Sequence, residues 1–124
     1  MASQDSTTTT LDVVIRFNDA LNRGDAALVL SLLTEDTVFE NTSPVPDGTR
    51  IEGRAAVGAF WARWMAANAG ARIEAEEAIV AGDRCTLRWV YRKLRDGKPW
   101  HLRGVDVFTV RDGLVAEKCS YVKG

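Results

Sequence analysis

Three short turn sequences divide the second half of the chain at regular intervals. Each pairs a glycine with an aspartate and lies between runs rich in valine, leucine and aromatic residues. Such pairs favour the backbone of a tight hairpin turn, and alternating runs on both sides are typical of antiparallel strands. Because no helix-length segment separates the runs, we predict a meander of neighbouring strands. The predicted strands are residues 72–81, 84–94, 98–110 and 114–122.

The first half of the chain has helical periodicity instead. Apolar residues recur every three or four positions in residues 11–23, 26–33 and 54–68, which is the spacing of one helix face. Residues 37–41 alternate like a short strand, and residues 42–53 contain two prolines and two glycines, which predicts a loop at the mouth of a site. We therefore predict an α+β fold in which three N-terminal helices pack against a strongly curved, mostly antiparallel sheet.

Length and charge limit the possible functions. A chain of 124 residues predicts one domain, and residues 1–10 are polar enough to predict a disordered lead-in, so the domain is residues 11–124. The net charge of −1 gives no electrostatic case for nucleic acid or an anionic membrane as a partner. No apolar run reaches the roughly 18 residues that cross a bilayer, and the first residues do not resemble a signal peptide. We expect a cytoplasmic protein whose Cys85 and Cys119 are reduced.

One acidic residue interrupts the apolar face of the third predicted strand. Because side chains alternate between the two faces of a strand, this face carries Trp100, Leu102, Gly104, Asp106 and Phe108. A buried charge is costly unless it is paired or used in function. Asp106 is therefore the first candidate for a functional residue.

A lysine on the last strand is the predicted partner of this carboxylate. We align the two strands by assuming that Val110 faces Leu114 across the turn. This register places Lys118 directly opposite Asp106, whereas a shift of one residue would turn the lysine outward. In a catalytic site Asp106 would be a general base, Lys118 would stabilise a developing oxyanion, and Asn41 would orient a substrate carbonyl or a water. A structural ion pair and a polar contact with a ligand are the alternatives.

Large apolar side chains from both layers are predicted to converge inside the curved sheet. A sheet closed on one side by helices leaves a cone with an interior pocket, which would suit a small apolar metabolite. The candidate ligand-binding residues are Phe17, Phe39, Trp61, Trp64, Leu87, Trp89, Tyr91, Trp100, Leu102 and Ser120.

The sequence contains no pattern for a cofactor. No spacing of histidine, cysteine or carboxylate residues predicts a metal site, and no glycine-rich loop predicts a nucleotide site. The opposite face of the predicted sheet carries Val90, Val105 and Val107. An apolar stripe there predicts a homodimer formed through the outer face of the sheet.

Residues 17–25, 33–41 and 104–108 resemble segments of the nuclear-transport-factor-2-like superfamily. Within it they are most similar to the SnoaL-like, ketosteroid-isomerase-like and limonene-epoxide-hydrolase-like branches, and the resemblance covers residues 11–122. It implies the same cone with an interior pocket. It does not imply one activity, because this fold supports isomerases, dehydratases, hydrolases, cyclases and binders without catalysis.

The resemblance to ketosteroid isomerases is incomplete at the active site. In those enzymes an Asp ends the short strand as general base, and Asn41 stands at the matching place here. A Tyr of the first helix donates to the oxyanion, and Phe17 stands at that place. The second donor is a protonated Asp, which Asp106 matches. The resemblance therefore implies that the usual steroid isomerase set is missing.

The resemblance to limonene epoxide hydrolases is incomplete in the same way. Those enzymes hold a catalytic water with an Arg, two Asp, a Tyr and an Asn. Asn41 matches the Asn, whereas Phe39 stands at the Tyr place and Leu87 at the Arg place. Trp89 and Ser120 stand at the two Asp places. The usual epoxide hydrolase set is therefore missing as well.

Two functional hypotheses follow. The first is a small cofactor-independent enzyme that isomerises, cyclises, dehydrates or opens an epoxide of an apolar, ring-containing molecule. The second is a non-catalytic ligand binder or interaction module. An open cavity beside Asp106 favours the first, whereas a cone filled by Trp64, Trp89 and Trp100 favours the second.

Overall fold

The computed structural model describes the backbone of residues 2–124 and the side chains of residues 9–124. The elements are α1 (Ala2–Arg23), α2 (Ala26–Ser31), β1 (Leu33–Glu40), β2 (Arg50–Glu52), α3 (Arg54–Ala67), β3 (Arg72–Ala81), β4 (Arg84–Arg95), β5 (Lys98–Arg111) and β6 (Leu114–Val122). The predicted α+β fold is confirmed: three helices pack against one curved sheet that forms a cone.

The sheet has six strands in the order β2-β1-β6-β5-β4-β3. The four predicted strands of the meander are confirmed as β3 to β6, and their pairing is antiparallel. In contrast, β1 pairs with β6 in parallel. The helix α3 carries the chain from β2 at one edge of the sheet to β3 at the other edge, and the meander then leads back to β1. The short strand β2 lies inside the segment predicted to be a loop. It was not predicted because three residues are too few to show an alternating pattern.

Helix α1 begins earlier than the sequence predicts. It starts at Ala2, within the segment 1–10 predicted to be a disordered lead-in, and no proline or glycine interrupts it. Met1 and the side chains of residues 2–8 lie outside the described part of the chain, so the domain boundary stays a prediction. Thr10 is buried, and its hydroxyl donates to the carbonyl oxygen of Gly82 at 2.8 Å. This bond joins Thr10 to the turn between β3 and β4.

The narrow end of the cone is filled by α1. Phe17 lies edge-on to Phe108 of β5 and to Trp61 of α3, with ring centroids 6.0 and 6.2 Å apart. Two asparagines of α1 cover the free edge of β3. Asn18 donates to the carbonyl of Ile73 at 2.9 Å, and Asn22 accepts from the amide of Ile73 at 2.7 Å. These bonds satisfy the edge strand and fix the helix against the sheet.

The outer face of the sheet is mainly charged. Three arginines, Arg88, Arg92 and Arg103, pair with glutamates of β3. Val90, predicted to belong to an exposed apolar stripe, is fully buried under these neighbours, which corrects that expectation. The homodimer through this face stays a prediction. No helix in the described part of the chain is long and apolar enough to cross a membrane.

Candidate functional site

The pairing of β5 with β6 sets the positions of the polar residues inside the cone. Arg111 faces Leu114 across the turn, so the register at the turn differs by one residue from the predicted one. A bulge follows, because Val110 faces Val115 whereas Thr109 faces Glu117. The two single-residue shifts add up to two, and a shift of two restores the original face. The predicted register is therefore wrong, but the predicted face of the lysine is confirmed.

Three polar side chains meet on this inner face. Asp106 lies opposite Ser120, and Lys118 reaches the carboxylate diagonally. The ammonium Nζ of Lys118 lies 3.2 Å from Oδ2 of Asp106 and donates to Oγ of Ser120 at 3.0 Å. The hydroxyl of Ser120 donates to Oδ1 of Asp106 at 2.6 Å. Both carboxylate oxygens therefore accept a bond, and Ser120 connects the two charges.

The ion pair is removed from water. Asp106 is 3% exposed and Lys118 is 5% exposed. The ammonium faces the rings of Phe39 and Trp61, whose centroids lie 4.7 and 4.8 Å from Nζ, and Phe108 lies at 5.9 Å. Burial lowers the pKa of Lys118, and the Asp106 carboxylate partly opposes that shift. The rings and the carboxylate together stabilise the cation where water does not reach it.

A cavity of about 250 Å³ opens beside this group. It reaches from the buried ion pair to half-exposed aromatic residues at the wide end of the cone. The cone is thus not filled by tryptophans, and Asp106 borders open volume. The lining residues are Phe39, Asn41, Thr42, Ser43, Phe60, Trp61, Trp64, Ile73, Trp89, Tyr91, Leu102, Asp106, Lys118, Ser120 and Val122.

Seven of the ten residues predicted to bind a ligand line this cavity, and three do not. Phe17 and Leu87 face inward as predicted but pack beneath the cavity in the closed core. Trp100 lies beyond the mouth, where its ring is edge-on to that of Tyr91. The assignment of these three to the cavity wall is therefore wrong. Alternation gives the face of a strand but not the depth along it.

Five lining residues were not predicted as site residues. Phe60 belongs to the helical stripe of α3, which signals that it faces the core, but Ile73 and Val122 lie on strands far apart in sequence. Thr42 and Ser43 belong to the loop after β1, so the predicted position of that loop at the mouth agrees with the structure. Only the parallel pairing of β1 with β6 brings this loop to the cavity, and local patterns carry no sign of that pairing.

A glycine makes room for one wall of the cavity. Gly104 lies opposite Trp89, and a Cβ atom at this position would lie 2.6 Å from the indole Cη2 and 2.3 Å from the carbonyl oxygen of Tyr121. The indole ring therefore packs directly against the backbone of β5 at Gly104, two residues from Asp106. Any larger residue would push the ring into the cavity or separate the strands.

Asn41 has a structural role at the mouth of the cavity in addition to its predicted role of orienting a substrate. Its Oδ1 accepts from the amides of Ser43 and Thr49 at 3.1 and 3.0 Å. Gly48 packs directly against the carbonyl oxygen of Asn41, where a Cβ atom would lie 1.7 Å away. The side-chain oxygen thus holds the loop together. Of its two polar atoms, Nδ2 is the one that remains to contact a substrate.

Two donors on the wall have no acceptor among the described residues. They are the indole N–H groups of Trp61 and Trp89, both buried. A buried donor without an acceptor destabilises the folded state. Both nitrogens are fully buried, so neither N–H reaches a ligand in the cavity unless its ring moves. The site offers an anion, a cation and a hydroxyl within largely aromatic walls.

Comparisons with known proteins agree with this architecture. A family model described as SnoaL-like domain matches residues 14–118. An NTF2-like protein of unknown function from Mesorhizobium loti is 40% identical, with 95% of this chain and 93% of that chain covered and a TM-score of 0.83. A putative polyketide cyclase from Sinorhizobium meliloti is 26% identical, with coverage of 89% and 94% and a TM-score of 0.72.

A more distant neighbour has the same fold. An LEH-like epoxide hydrolase from Mycobacterium tuberculosis is 22% identical, with 94% of this chain and 84% of that chain covered and a TM-score of 0.81. At this identity the likeness concerns the fold alone. No curated protein matches the chain significantly.

Proposed function

The chain belongs to the SnoaL-like domain family, and from this premise we propose that it binds an apolar, ring-containing small molecule in its cavity and acts on it as a cofactor-independent enzyme. The observation that carries the proposal is the position of Asp106. Its carboxylate is held by Lys118 and Ser120 on the wall of an otherwise largely aromatic cavity of about 250 Å³. A group that can take a proton therefore lies where an apolar ring can reach it.

Asp106 is the general base in this proposal. The Lys118 ammonium and the Ser120 hydroxyl both stabilise its negative charge. Each carboxylate oxygen has a second lone pair, so the residue can accept a proton while it keeps both contacts. The aromatic walls keep bulk water away, which strengthens every charge interaction in the cavity. These are conditions for removing a proton from a carbon next to a carbonyl group.

Lys118 is the electrophilic partner. When Asp106 takes the proton, the electron pair of the C–H bond forms a carbon–carbon double bond and the π pair of the carbonyl group moves onto its oxygen, which gives an enolate. The ammonium can stabilise that negative oxygen. Return of the proton from Asp106 to another carbon of a conjugated enolate completes an isomerisation. Attack of the enolate on a second carbonyl carbon closes a ring, and the alkoxide formed there takes the proton from Asp106. The likeness to a putative polyketide cyclase at 26% identity supports this class of reaction.

A non-catalytic binder is the second candidate, and one observation favours it. Asp106, Lys118 and Ser120 satisfy one another in a closed set of bonds and need no ligand to do so. A structural ion pair of this kind could define the shape and polarity of a binding cavity without moving a proton. The two candidates therefore share the ligand class and differ in whether Asp106 accepts a proton.

An exchange experiment separates them. The probe is 2-tetralone, an apolar bicyclic ketone, and NMR in D₂O follows replacement of its α-protons by deuterium. We expect the wild type to accelerate exchange, and Asp106→Asn to lower the rate to that of buffer. Glu77→Gln, which changes a carboxylate on the outer face, is the matched control and keeps the wild-type rate.

The binding of the same ketone gives the second readout. Quenching of tryptophan fluorescence reports its entry, because four tryptophans lie in or near the cavity. Binding without accelerated exchange rejects the enzyme and supports the binder. Accelerated exchange that survives in Asp106→Asn rejects the role of that residue.

A further inference from the structure

The β4–β5 hairpin extends beyond the mouth of the cavity, and its inner face becomes cationic there. Tyr91 and Leu102 are the last pair that lines the cavity. The next pair on the same face is Lys93 with Trp100, and the pair at the tip is Arg95 with Lys98. One face of one hairpin thus leads from the buried ion pair, past aromatic walls, to three cations.

Lys93 is held in a defined position. Its Nζ lies 5.6 Å from the ring centroids of both Tyr91 and Trp100 and donates to Oδ1 of Asn68 at 3.3 Å. The hydroxyl of Tyr91 donates to the same oxygen at 3.0 Å. The guanidinium of Arg95 lies 4.8 Å from the centroid of Trp100. Two aromatic rings and an amide therefore place the cationic groups next to the mouth.

These cations differ from the arginines of the outer face in one respect. Arg88, Arg92 and Arg103 each have a glutamate within 4 Å, whereas none of the three inner cations has a carboxylate at that distance in the described part of the chain. Lys93 is also half-buried. A partly desolvated ammonium without a counter-ion gains free energy when an anion binds beside it.

We propose that the inner face of the hairpin tip, formed by Lys93, Arg95 and Lys98 around Trp100, binds an anionic group at the far end of the ligand. This rests on the proposed function, in which the apolar ring of the ligand occupies the cavity. The ligand is then an amphiphilic anion whose ring lies beside Asp106. Its carboxylate, sulfate or phosphate lies about 7 Å beyond Tyr91, because two strand residues advance by that distance.

A matched pair of probes tests the subsite. The first is 6-(2-naphthyl)hexanoate, and the second is the neutral alcohol 6-(2-naphthyl)hexan-1-ol, which has the same ring and chain. Titration followed by tryptophan fluorescence gives the dissociation constant of each. We expect the acid to bind the wild type at least about tenfold more tightly at low salt, and this advantage to shrink in high salt as screening increases.

Two double variants locate the effect. Lys93→Met with Arg95→Met removes two inner cations and keeps apolar stems, so we expect the acid to lose about tenfold in affinity while the alcohol binds as before. Arg92→Met with Arg103→Met removes the same charge from the outer face of the same hairpin and leaves both affinities unchanged. Circular dichroism and thermal unfolding verify that both variants remain folded.

The outcomes separate this proposal from the function on which it rests. Equal affinities of acid and alcohol for the wild type overturn the subsite and leave ring binding in the cavity intact. An acid preference that survives the inner double variant also overturns it, since the charge would lie elsewhere. Failure of both probes to bind overturns the subsite together with the proposed binding of a ring in the cavity.

Discussion

Both faces of the sheet carry ion pairs, but the outer pairs are exposed to water and the inner pair is buried. On the outer face Arg92 and Glu74 lie 2.9 Å apart, and their side chains are 50% and 46% exposed. On the inner face Lys118 and Asp106 lie 3.2 Å apart, and their side chains are 6% and 4% exposed. Water and salt screen the outer pair, whereas the inner pair is desolvated and borders a cavity. Distance alone therefore does not distinguish a surface contact from a candidate site.

The largest expected effect comes from breaking the inner pair. Asp106→Ala leaves the buried Lys118 ammonium without its counter-ion, so we expect a loss of about 3–5 kcal/mol in the free energy of unfolding. Glu74→Ala breaks an exposed pair and should cost at most about 1 kcal/mol. Urea denaturation of both variants measures the difference.

A second substitution sharpens this test. Lys118→Met added to Asp106→Ala removes the uncompensated charge, and the double variant should regain much of the lost stability. If Asp106→Ala is no more destabilising than Glu74→Ala, the two faces do not differ as described.

A smaller loss of stability is expected at Gly104, where the inner wall has no room for a side chain. Gly104→Ala places a Cβ atom against the Trp89 ring and a backbone oxygen, and we expect a loss of about 1–3 kcal/mol and altered tryptophan fluorescence. Gly58→Ala on α3 is the control. There the new Cβ would meet only the end of the Leu30 side chain, which is 40% exposed and can move aside. Equal losses of stability from the two substitutions would show that the inner wall accommodates a Cβ atom as easily as the site beside Leu30.

The last prediction concerns the reactivity of Cys119, a cysteine on the outer side of β6, and involves no change in stability. Burial, with help from Glu117, raises the pKa of the Cys119 thiol from 9.0 to about 11. Because the thiolate is the reactive form, its fraction at about pH 8 falls about a hundredfold. We expect iodoacetamide to label the native protein slowly, and the rate to rise with pH up to about 11. Mass spectrometry measures the label, and the unfolded protein in urea is the control. Labelling equally fast in both states at about pH 8 contradicts the raised pKa.

The faces of the strands could be predicted from sequence, but depth and register could not. Alternation placed Asp106 on the inner face, and the structure agrees. Lys118 was placed on the same face through an assumed register, and it lies there because two single-residue errors in that register cancel. The register was wrong because the turn and the bulge each shift it by one residue, and neither shift has a local signal. Leu87 and Trp89 lie on one face of β4, but only Trp89 reaches the cavity because packing by α1 closes the narrow end.

The residues at the mouth of the cavity could not be predicted, because contacts between distant parts of the chain bring them together. The parallel pairing of β1 with β6 brings Thr42 and Ser43 beside Val122. No turn or periodicity signals such a pairing, because β2, α3 and three further strands lie between β1 and β6 in the sequence. The sequence therefore predicted the chemistry at the base of the site better than the residues at its entrance.

The most direct test of this account compares a carboxylate from each face in the same reaction. The measurement is the rate of deuterium exchange into 2-tetralone for the wild type, Asp106→Asn and Glu74→Gln. We expect Asp106→Asn to fall to the buffer rate and Glu74→Gln to match the wild type. Exchange at the wild-type rate in Asp106→Asn would contradict the claim that the buried carboxylate acts on a ligand in the cavity.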